Sequence, residues 1–337
     1  MQIHSDYSLL RHNTFGIDVK CRQFVEYNDE NELRKTLKML KENTEAPWLH
    51  IGGGSNLLFT KDYPGTILHS GIYGKEIIEE SDESVLLRVG AAEDWDKLVE
   101  WCVEKGLHGL ENLSLIPGEA GASAVQNIGA YGVEVESLIE KVETLKVETG
   151  EARIFLHDEC EYGYRTSVFK QQHKGKFIVT HVQYRLSKQF FPQISYGALK
   201  DLSEKNDMPP TAAEVRNKVI RIRREKLPDP AEIGSAGSFF MNPVISESQF
   251  QALQSQNPDI PHYPAKGGIK VPAGWLIEQC GWKGKQLGQA GVHPRQALVL
   301  INLGHATGAE IAQLSRKIQE DVAERFNITL HPEVLFL

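Results

Sequence analysis

The chain has 337 residues, of which 41% are hydrophobic and 24% are charged, and this composition excludes an intrinsically disordered protein. Because the length exceeds that at which a single core usually stops growing, we expect two or three domains. The formal net charge of −8 excludes a general attraction to nucleic acid or to an anionic membrane, so an anionic ligand needs a local site.

The N-terminal half predicts strands and amphipathic helices in alternation. Leucines spaced as one apolar face predict a helix over 31–43. A second such face begins at Trp95 and continues for two turns, and Gly106 then offers a helix end. Strands are predicted over 47–51, 65–69 and 85–89, and they dominate 139–186.

The C-terminal part begins after a polar, proline-containing segment at 206–210, which indicates a linker. Thr-x-x-Glu capping boxes at 211–214 and 307–310 predict two helices, the first extending to about Lys226. A last strand is predicted over 328–337. The pattern is α+β, with a larger domain to about residue 225 and a smaller one after it.

The cysteines and the N-terminus indicate the compartment. The four cysteines are far apart and form no C-x-x-C pair, which favours inert thiols in a reducing compartment over disulfides or a zinc site. The histidines form no H-E-x-x-H pattern, and we predict no metal. The first twenty residues lack the apolar region of a signal peptide, and no apolar run is long enough to span a bilayer. We therefore expect a cytoplasmic protein.

A first glycine loop, 52–56, follows a predicted strand and suggests a nucleotide-binding turn. Leu57 takes the place of the third glycine of G-x-G-x-x-G, and Asp-Tyr-Pro-Gly at 62–65 breaks the chain before a helix forms, which opposes a Rossmann site. A run of backbone N–H groups can still hold a diphosphate. A plain tight turn explains the same residues equally well.

A second stretch of small residues runs from Pro117 to Gly132. Small side chains let the backbone approach a flat ring or a phosphate closely. Close packing of secondary structure uses the same residues, and for this stretch alone we favour it. Two such loops in one N-terminal half, however, favour a dinucleotide ligand.

Together these segments resemble the UDP-N-acetylenolpyruvoylglucosamine reductases, a family of bacterial cell-wall enzymes, from Thr14 to Leu337. The number and order of the matching segments carry the resemblance. They are Gly52 to Leu58, Ile116 to Gly118, Gln126 to Gly132, Tyr164 to Lys170, Lys226 to Pro230, Gly237 to Pro243, Ala273 to Ile277 and Pro332 to Val334.

The resemblance implies a fold and a division of the chain. The fold is a FAD-binding module of the vanillyl-alcohol-oxidase (PCMH) type, made of two α+β subdomains, plus a smaller α+β substrate-binding domain. The expected bounds are 1–72 and 73–225 for the subdomains and 226–327 for the third domain, with the strand 328–337 returning to the first subdomain. One departure is Glu119, where relatives usually carry a small uncharged residue. We expect Glu119 to face solvent, because a carboxylate aimed at the flavin phosphates would repel them.

The resemblance also implies a reaction, the NADPH-dependent reduction of UDP-N-acetylglucosamine enolpyruvate to UDP-N-acetylmuramate in peptidoglycan precursor synthesis. NADPH reduces FAD, flavin N5 gives a hydride to C3 of the enolpyruvyl group, and C2 then takes a proton. The guanidinium fork of Arg165 suits the substrate carboxylate, Glu333 acts beside it, and Ser238 donates the proton. For Arg165 the alternative is a surface or structural arginine beside Glu159 and Glu161, and the motif context favours the functional role. From pattern alone, Glu333 is an ordinary strand carboxylate and Ser238 is a loop serine. For Ser238, the neighbouring Gly237, Phe239 and Phe240 suggest a tight, dry setting.

Binding residues follow from the same resemblance. FAD, held without a covalent bond, is assigned to Gly52, Gly53, Gly54, Ser55, Asn56, Pro117, Gly118, Ala122, Ser123, Asn127 and Gly129. The substrate is assigned to Tyr164, Tyr196, Arg223, Lys226, Asn242, Tyr263, Lys283 and Gln296, with Tyr196 similar to a substrate-covering loop tyrosine. Most basic runs such as the one at 221–226 are solvated helix faces, so we expect only some of its basic side chains to contact a ligand. We expect a monomer. A flavin oxidase and a non-catalytic nucleotide-sugar-binding protein are the rival interpretations.

Overall fold

The structure is a computed structural model that describes residues 1–42, 46–204 and 208–337. The predicted helix end at Asn43 and the first two residues of the predicted linker lie outside them. The described chain forms two compact units. Unit 1 comprises Met1–Tyr7, Cys21–Gly53 and Pro64–Glu225, and unit 2 comprises Ser8–Lys20, Gly54–Tyr63 and Lys226–Leu337. No helix in the described residues combines the length and apolar character needed to cross a membrane.

The strands are short, and most belong to antiparallel ladders. In chain order they are β1 (Gln2–Ser8), β2 (Lys20–Tyr27), β3 (Trp48–Ile51), β4 (Leu57–Leu58), β5 (Tyr63–Ser70), β6 (Lys75–Glu80), β7 (Ser84–Gly90), β8 (Gly129–Ala130), β9 (Val133–Glu134), β10 (Ile139–Lys146), β11 (Ala152–Leu156), β12 (Phe177–Ser187), β13 (Gly234–Ser238), β14 (Val244–Ile245), β15 (Tyr263–Ala265), β16 (Gly268–Lys270), β17 (Gln286–Leu287), β18 (Ala290–Val292), β19 (Val299–Asn302) and β20 (Leu335–Phe336).

The α-helices flank these sheets, and their predicted starts are confirmed where capping signals exist. They are α1 (Glu30–Glu42), α2 (Trp95–Glu104), α3 (Ala120–Gln126), α4 (Asp201–Glu204), α5 (Ala212–Lys226), α6 (Glu247–Gln256), α7 (Ala273–Gln279) and α8 (Gly308–Phe326). The Thr307 hydroxyl accepts the Glu310 N–H and the Glu310 carboxylate caps Thr307 in return, which fixes the start of α8.

Unit 1 contains two larger sheets and the two-stranded sheet β8-β9. The first has the order β1-β2-β5-β3, with β3 and β5 parallel, and the second has the antiparallel order β11-β10-β12-β7-β6. The central strand β12 buries Ile178, Thr180, Val182, Tyr184 and Leu186, the alternate residues along it. The apolar face of α2, beginning at Trp95, packs in the same core, which also includes Ala120 and Ala124 of α3.

Unit 2 also contains small sheets and three helices. Its four-stranded sheet has the order β13-β19-β18-β17, and a three-stranded sheet has the order β14-β16-β15. The helix α8 buries Ile311, Leu314, Ile318 and Val322, as its spacing predicts. The antiparallel ladder between β13 and β19 carries Ser238 opposite Val299.

The final strand is shorter than predicted. Only Leu335–Phe336 of the predicted segment 328–337 forms a strand, and it pairs in parallel with Leu57–Leu58. Pro332 lacks the N–H that a continuous ladder needs, and it makes only an isolated bridge to Phe240. The predicted division of residues 1–225 into two FAD-binding subdomains, followed by a substrate domain, stays a prediction.

Candidate active site

In unit 1 the two glycine-rich loops meet. Gly52 and Gly53 follow β3 without entering a helix, as expected. A Cβ built on Gly53 would lie 3.5 Å from Gly118 Cα, and one on Gly52 would lie 3.5 Å from Ala122 Cβ. Gly118 itself has φ +126°, a value that L side chains rarely adopt. The absence of side chains thus allows the two backbones to lie close together.

The second loop also uses its small residues for packing, which was the favoured alternative. It continues into the helix α3, which the sequence analysis did not predict. A Cβ on Gly121 would lie 2.8 Å from Ala91 Cβ, closer than real Cβ atoms come. The Ser123 hydroxyl donates to the Ala120 carbonyl oxygen at 2.7 Å and contacts the Tyr184 hydroxyl at 2.8 Å, inside the core. The predicted role of Ser123 in FAD binding stays a prediction.

The expectation that Glu119 faces solvent is wrong. Its side chain is only 13% exposed, and Oε1 lies 3.0 Å from Nε2 of His69 on β5. The reason is that the imidazole of His69 supplies a hydrogen-bonding partner inside the unit, so the carboxylate is not left unpaired when it is buried. Sequence spacing gave no sign of this partner, which lies 50 positions away.

Arg165 is fixed in place by backbone carbonyls. Its guanidinium donates to the Asn127 carbonyl oxygen at 3.3 Å and also to that of Gly129, and it lies 5.5 Å above the ring centre of Tyr164. Its φ of +56° is strained for arginine. The two carboxylates of the structural alternative have other partners. Glu159 pairs with Arg153, and Glu161 accepts a hydrogen bond from Gln172.

A second cluster in unit 1 surrounds Arg223. Its Nε donates to the Leu115 carbonyl oxygen at 3.2 Å. Burial lowers the pKa of Arg223, while burial raises the pKa of the neighbouring Tyr131 hydroxyl. Leu115 and Tyr131 both have positive φ, +58° and +49°. Tyr196, half-exposed, packs on Gly132, where an added Cβ would lie 3.4 Å from Tyr196 Cβ. Neither Tyr131 nor Leu115 was predicted as a site residue, since positive φ at such residues has no local signal in a sequence.

In unit 2 the structure brings Ser238 and Glu333 to neighbouring places. The Glu333 N–H donates to the Phe239 carbonyl oxygen at 2.9 Å, one residue beyond Ser238. The Asn56 side-chain amide donates to the Glu333 carbonyl oxygen at 3.2 Å. Glu333 itself lies in a bend, two residues before the strand β20. Ser238 is exposed, and the expectation of a dry setting is wrong, because Phe239 and Phe240 turn into the core instead.

The remaining predicted substrate contacts of unit 2 have different surroundings. Asn242 Oδ1 accepts the Ala273 N–H at 2.9 Å at the start of α7, and Gln296 Oε1 accepts the Leu298 N–H at 3.3 Å. Lys283 pairs with Glu278 at 2.9 Å. Tyr263 is half-exposed on β15, and Lys226 is exposed at the end of α5. Their assignment to substrate stays a prediction.

One group of side chains in unit 1 has the spacing of a metal site. Glu30, Glu143 and His181 place ligand atoms within 4.8 Å of one another. Arg88, however, donates to both Glu143 oxygens at 2.7 Å and lies 2.9 Å from His181 Nδ1. Because arginine already neutralises this carboxylate, the group is a salt-bridge network.

Comparison with known proteins identifies the family. Residues 229–337 match the model of the UDP-N-acetylenolpyruvoylglucosamine reductase C-terminal domain, and residues 21–155 match a FAD binding domain. The UDP-N-acetylenolpyruvoylglucosamine reductase of Bacteroides fragilis is 52% identical over 332 residues, covering 98% of this chain and 99% of the relative. The chain belongs to the UDP-N-acetylenolpyruvoylglucosamine reductase family. The relative of the same name from Pseudomonas aeruginosa is 44% identical, covering 99% of this chain and 98% of that one.

The fold agrees with this family. The crystal structure of UDP-N-acetylenolpyruvylglucosamine reductase from Thermus caldophilus has a TM-score of 0.69 at 23% identity, covering 99% of this chain and 98% of that one. The predicted α+β fold with a FAD-binding module is confirmed, as is the enzyme class, an FAD-dependent oxidoreductase. The close approach of Gly53 to Gly118 fits FAD, because backbone that carries no side chain can come near a diphosphate.

Proposed function

We propose that the chain reduces UDP-N-acetylglucosamine enolpyruvate to UDP-N-acetylmuramate, with NADPH as the reductant, in peptidoglycan precursor synthesis. The observation that carries the proposal is a full-length match at 52% identity to a relative named for this reduction. The neighbouring positions of Ser238 and Glu333 support it, because the reaction needs a proton donor close to an acidic group.

The cofactor is assigned to the meeting glycine loops. Gly52 and Gly53 would hold the FAD diphosphate by backbone N–H groups, with Gly118 and Ala122 leaving room for it. Gly54 to Asn56 and Asn127 to Gly129 are the further assigned contacts. Bound there, FAD would supply the hydride-transfer chemistry between NADPH and C3 of the enolpyruvyl group. The protein supplies the rest of the chemistry.

Arg165 would bind the substrate carboxylate and stabilise the negative charge that develops there. Its guanidinium is already oriented by the Asn127 and Gly129 carbonyl oxygens, so little conformational entropy is lost when the carboxylate binds. The planar fork of a guanidinium matches the geometry of a carboxylate. The poorly solvated Arg223 adds a second positive charge in the same unit.

Ser238 would donate the proton to C2. Its side chain is exposed, so the hydroxyl is accessible to a ligand. A hydroxyl is a weak acid, but a strongly basic carbanion needs only a well-placed proton. Glu333, one hydrogen bond away along the backbone, would interact with the same enolic centre. Tyr196 and Lys226 are assigned to the nucleotide-sugar end of the substrate. We further propose a monomer in the cytoplasm.

Product analysis tests the function directly. Purified protein is incubated with UDP-N-acetylglucosamine enolpyruvate and NADPH, and the product is examined by mass spectrometry. We expect consumption of NADPH in step with a product that has gained one hydride and one proton. NADPH oxidation that is independent of this substrate, with the enolpyruvyl group unchanged, would contradict the proposal. Oxygen consumption with an alcohol would instead indicate an oxidase.

A further inference from the structure

A buried ionic cluster in unit 1 has no role in the proposed reaction. The imidazole of His69, on β5, lies between two carboxylates. Nδ1 is 3.2 Å from Glu26 Oε2, and Nε2 is 3.0 Å from Glu119 Oε1. The side chains of His69 and Glu119 are only 9% and 13% exposed. Charges with so little access to water depend on each other for stabilisation.

The cluster reaches the glycine loop through Glu119. Its Oε2 lies 3.1 Å from the position that a Cβ on Gly52 would take, and its Oε1 lies 3.6 Å from the same position on Gly53. The carboxylate therefore borders the backbone to which we assign the FAD diphosphate. An uncompensated carboxylate here would repel that diphosphate, and at low local dielectric this repulsion is strong.

The surroundings of His69 favour its cationic form. Burial alone would lower the pKa of His69, but the hydrogen bonds and charges of Glu119 and Glu26 outweigh burial and raise it. Burial, and then the charge of His69, lowers the pKa of the neighbouring His50 to about 3, so His50 carries no charge near neutral pH. The Tyr27 hydroxyl contacts His50 at 2.7 Å, and burial raises the pKa of Tyr27, so this hydroxyl is also neutral. Tyr73 is likewise neutral, because burial and Glu119 raise its pKa.

We propose that His69 is a positioning residue for FAD, which neutralises Glu119 and holds it against the glycine loop so that the loop accepts the diphosphate. The proposal rests on the assignment of Gly52 and Gly53 to that diphosphate. It also explains why an acidic residue is tolerated at a position next to the flavin phosphates. Glu119 needs a cationic partner there, and His69 is that partner.

The test compares FAD affinities of the apoproteins of three variants, measured by quenching of flavin fluorescence. His69→Gln leaves Glu119 charged and unpaired, and we expect the Kd for FAD to rise roughly tenfold or more. Glu119→Gln removes the negative charge, so the Kd should equal or fall below that of the wild type. The double variant should return to within about threefold of the wild type, since neither charge remains.

His108→Gln is the matched control. His108 Nδ1 lies 2.9 Å from Glu111 Oε1, with side chains 14% and 3% exposed, so it is another buried histidine–glutamate pair in unit 1. We expect this variant to lower the thermal midpoint of the apoprotein while its Kd for FAD stays unchanged. A general loss of stability is thereby separated from an effect on the glycine loop.

The outcomes are distinct. A double variant that binds FAD as weakly as His69→Gln, or a raised Kd in Glu119→Gln, would mean that the pair is only structural and would overturn the proposal. If His69→Gln does not fold, the double variant is compared with the wild type: a Kd within about threefold supports the proposal, and a Kd raised roughly tenfold or more overturns it. Wild-type apoprotein that binds no FAD would instead refute the assigned cofactor, before any variant is considered.

Discussion

Replacing Ser238 with alanine removes the hydroxyl that we assign to protonation and leaves the fold intact. The side chain is exposed on β13, so the free energy of unfolding should change by no more than about 0.5 kcal/mol. A positioned proton donor contributes about 10²- to 10⁴-fold to a rate, which corresponds to roughly 2.7–5.4 kcal/mol of barrier. Loss of activity with an unchanged fold is therefore the expected signature.

Anaerobic stopped-flow absorbance separates the two half-reactions of this variant. Bleaching of the flavin by NADPH should keep the wild-type rate, while recolouring by UDP-N-acetylglucosamine enolpyruvate should slow by at least about 100-fold. Ser248→Ala, which removes another exposed serine hydroxyl of unit 2, should change neither rate. A wild-type rate of recolouring in Ser238→Ala would refute the reasoning, and so would equal slowing of both half-reactions.

Three further predictions concern stability. Trp95→Ala should lower the free energy of unfolding, measured with urea, by about 3–5 kcal/mol, because the ring is fully buried and its N–H donates to a carbonyl oxygen. A decrease of less than about 1 kcal/mol would contradict this packing. Gly54→Ala should lower the free energy of unfolding by more than the roughly 1–2 kcal/mol that a left-handed backbone costs a residue with a side chain, since φ is +68° and the new Cβ would overlap a carbonyl oxygen. An unchanged thermal unfolding midpoint would exclude this geometry. Burial alone would raise the pKa of Asp96, but the hydrogen bond and charge of Arg216 outweigh burial, and the pKa is lowered. The pair therefore stabilises the fold above about pH 4, and this stabilisation is lost as the pH falls through the lowered pKa. Asp96→Asn should flatten that acid dependence of the unfolding free energy, and an unchanged dependence would rule out the pair as its source.

Local patterns predicted the elements whose causes are local. The apolar face of α2 and the capping box of α8 follow from residues three or four positions apart, and both are present. The strand β12 follows from alternation. The absence of a helix after Gly53 follows from the Pro and Gly that come next.

Features that depend on distant residues escaped prediction. The inward position of Glu119 depends on His69 and Glu26, which come from other strands. The helix α3 is made of small residues with a weak periodicity, and its packing on Ala91 was needed to reveal it. The final strand was predicted too long because Pro332 interrupts the ladder.

The candidate site shows the same division. The glycine loops were found from composition, since small residues are visible in any sequence. Their close approach at Gly53 and Gly118 depends on the tertiary structure, so the sequence did not predict it. Tyr131, with its strained backbone beside Arg223, has no local signature, because only the surrounding structure determines such a conformation.

The most direct test of the central claim is a visible spectrum of the purified protein, followed anaerobically through addition of NADPH and then of UDP-N-acetylglucosamine enolpyruvate. The account predicts a yellow protein that bleaches with NADPH and recovers its colour with the enolpyruvyl substrate. A protein that bleaches but is not reoxidised by this substrate would remove the proposed reaction and keep the flavoenzyme. A colourless protein that cannot be reconstituted with FAD would contradict the account as a whole.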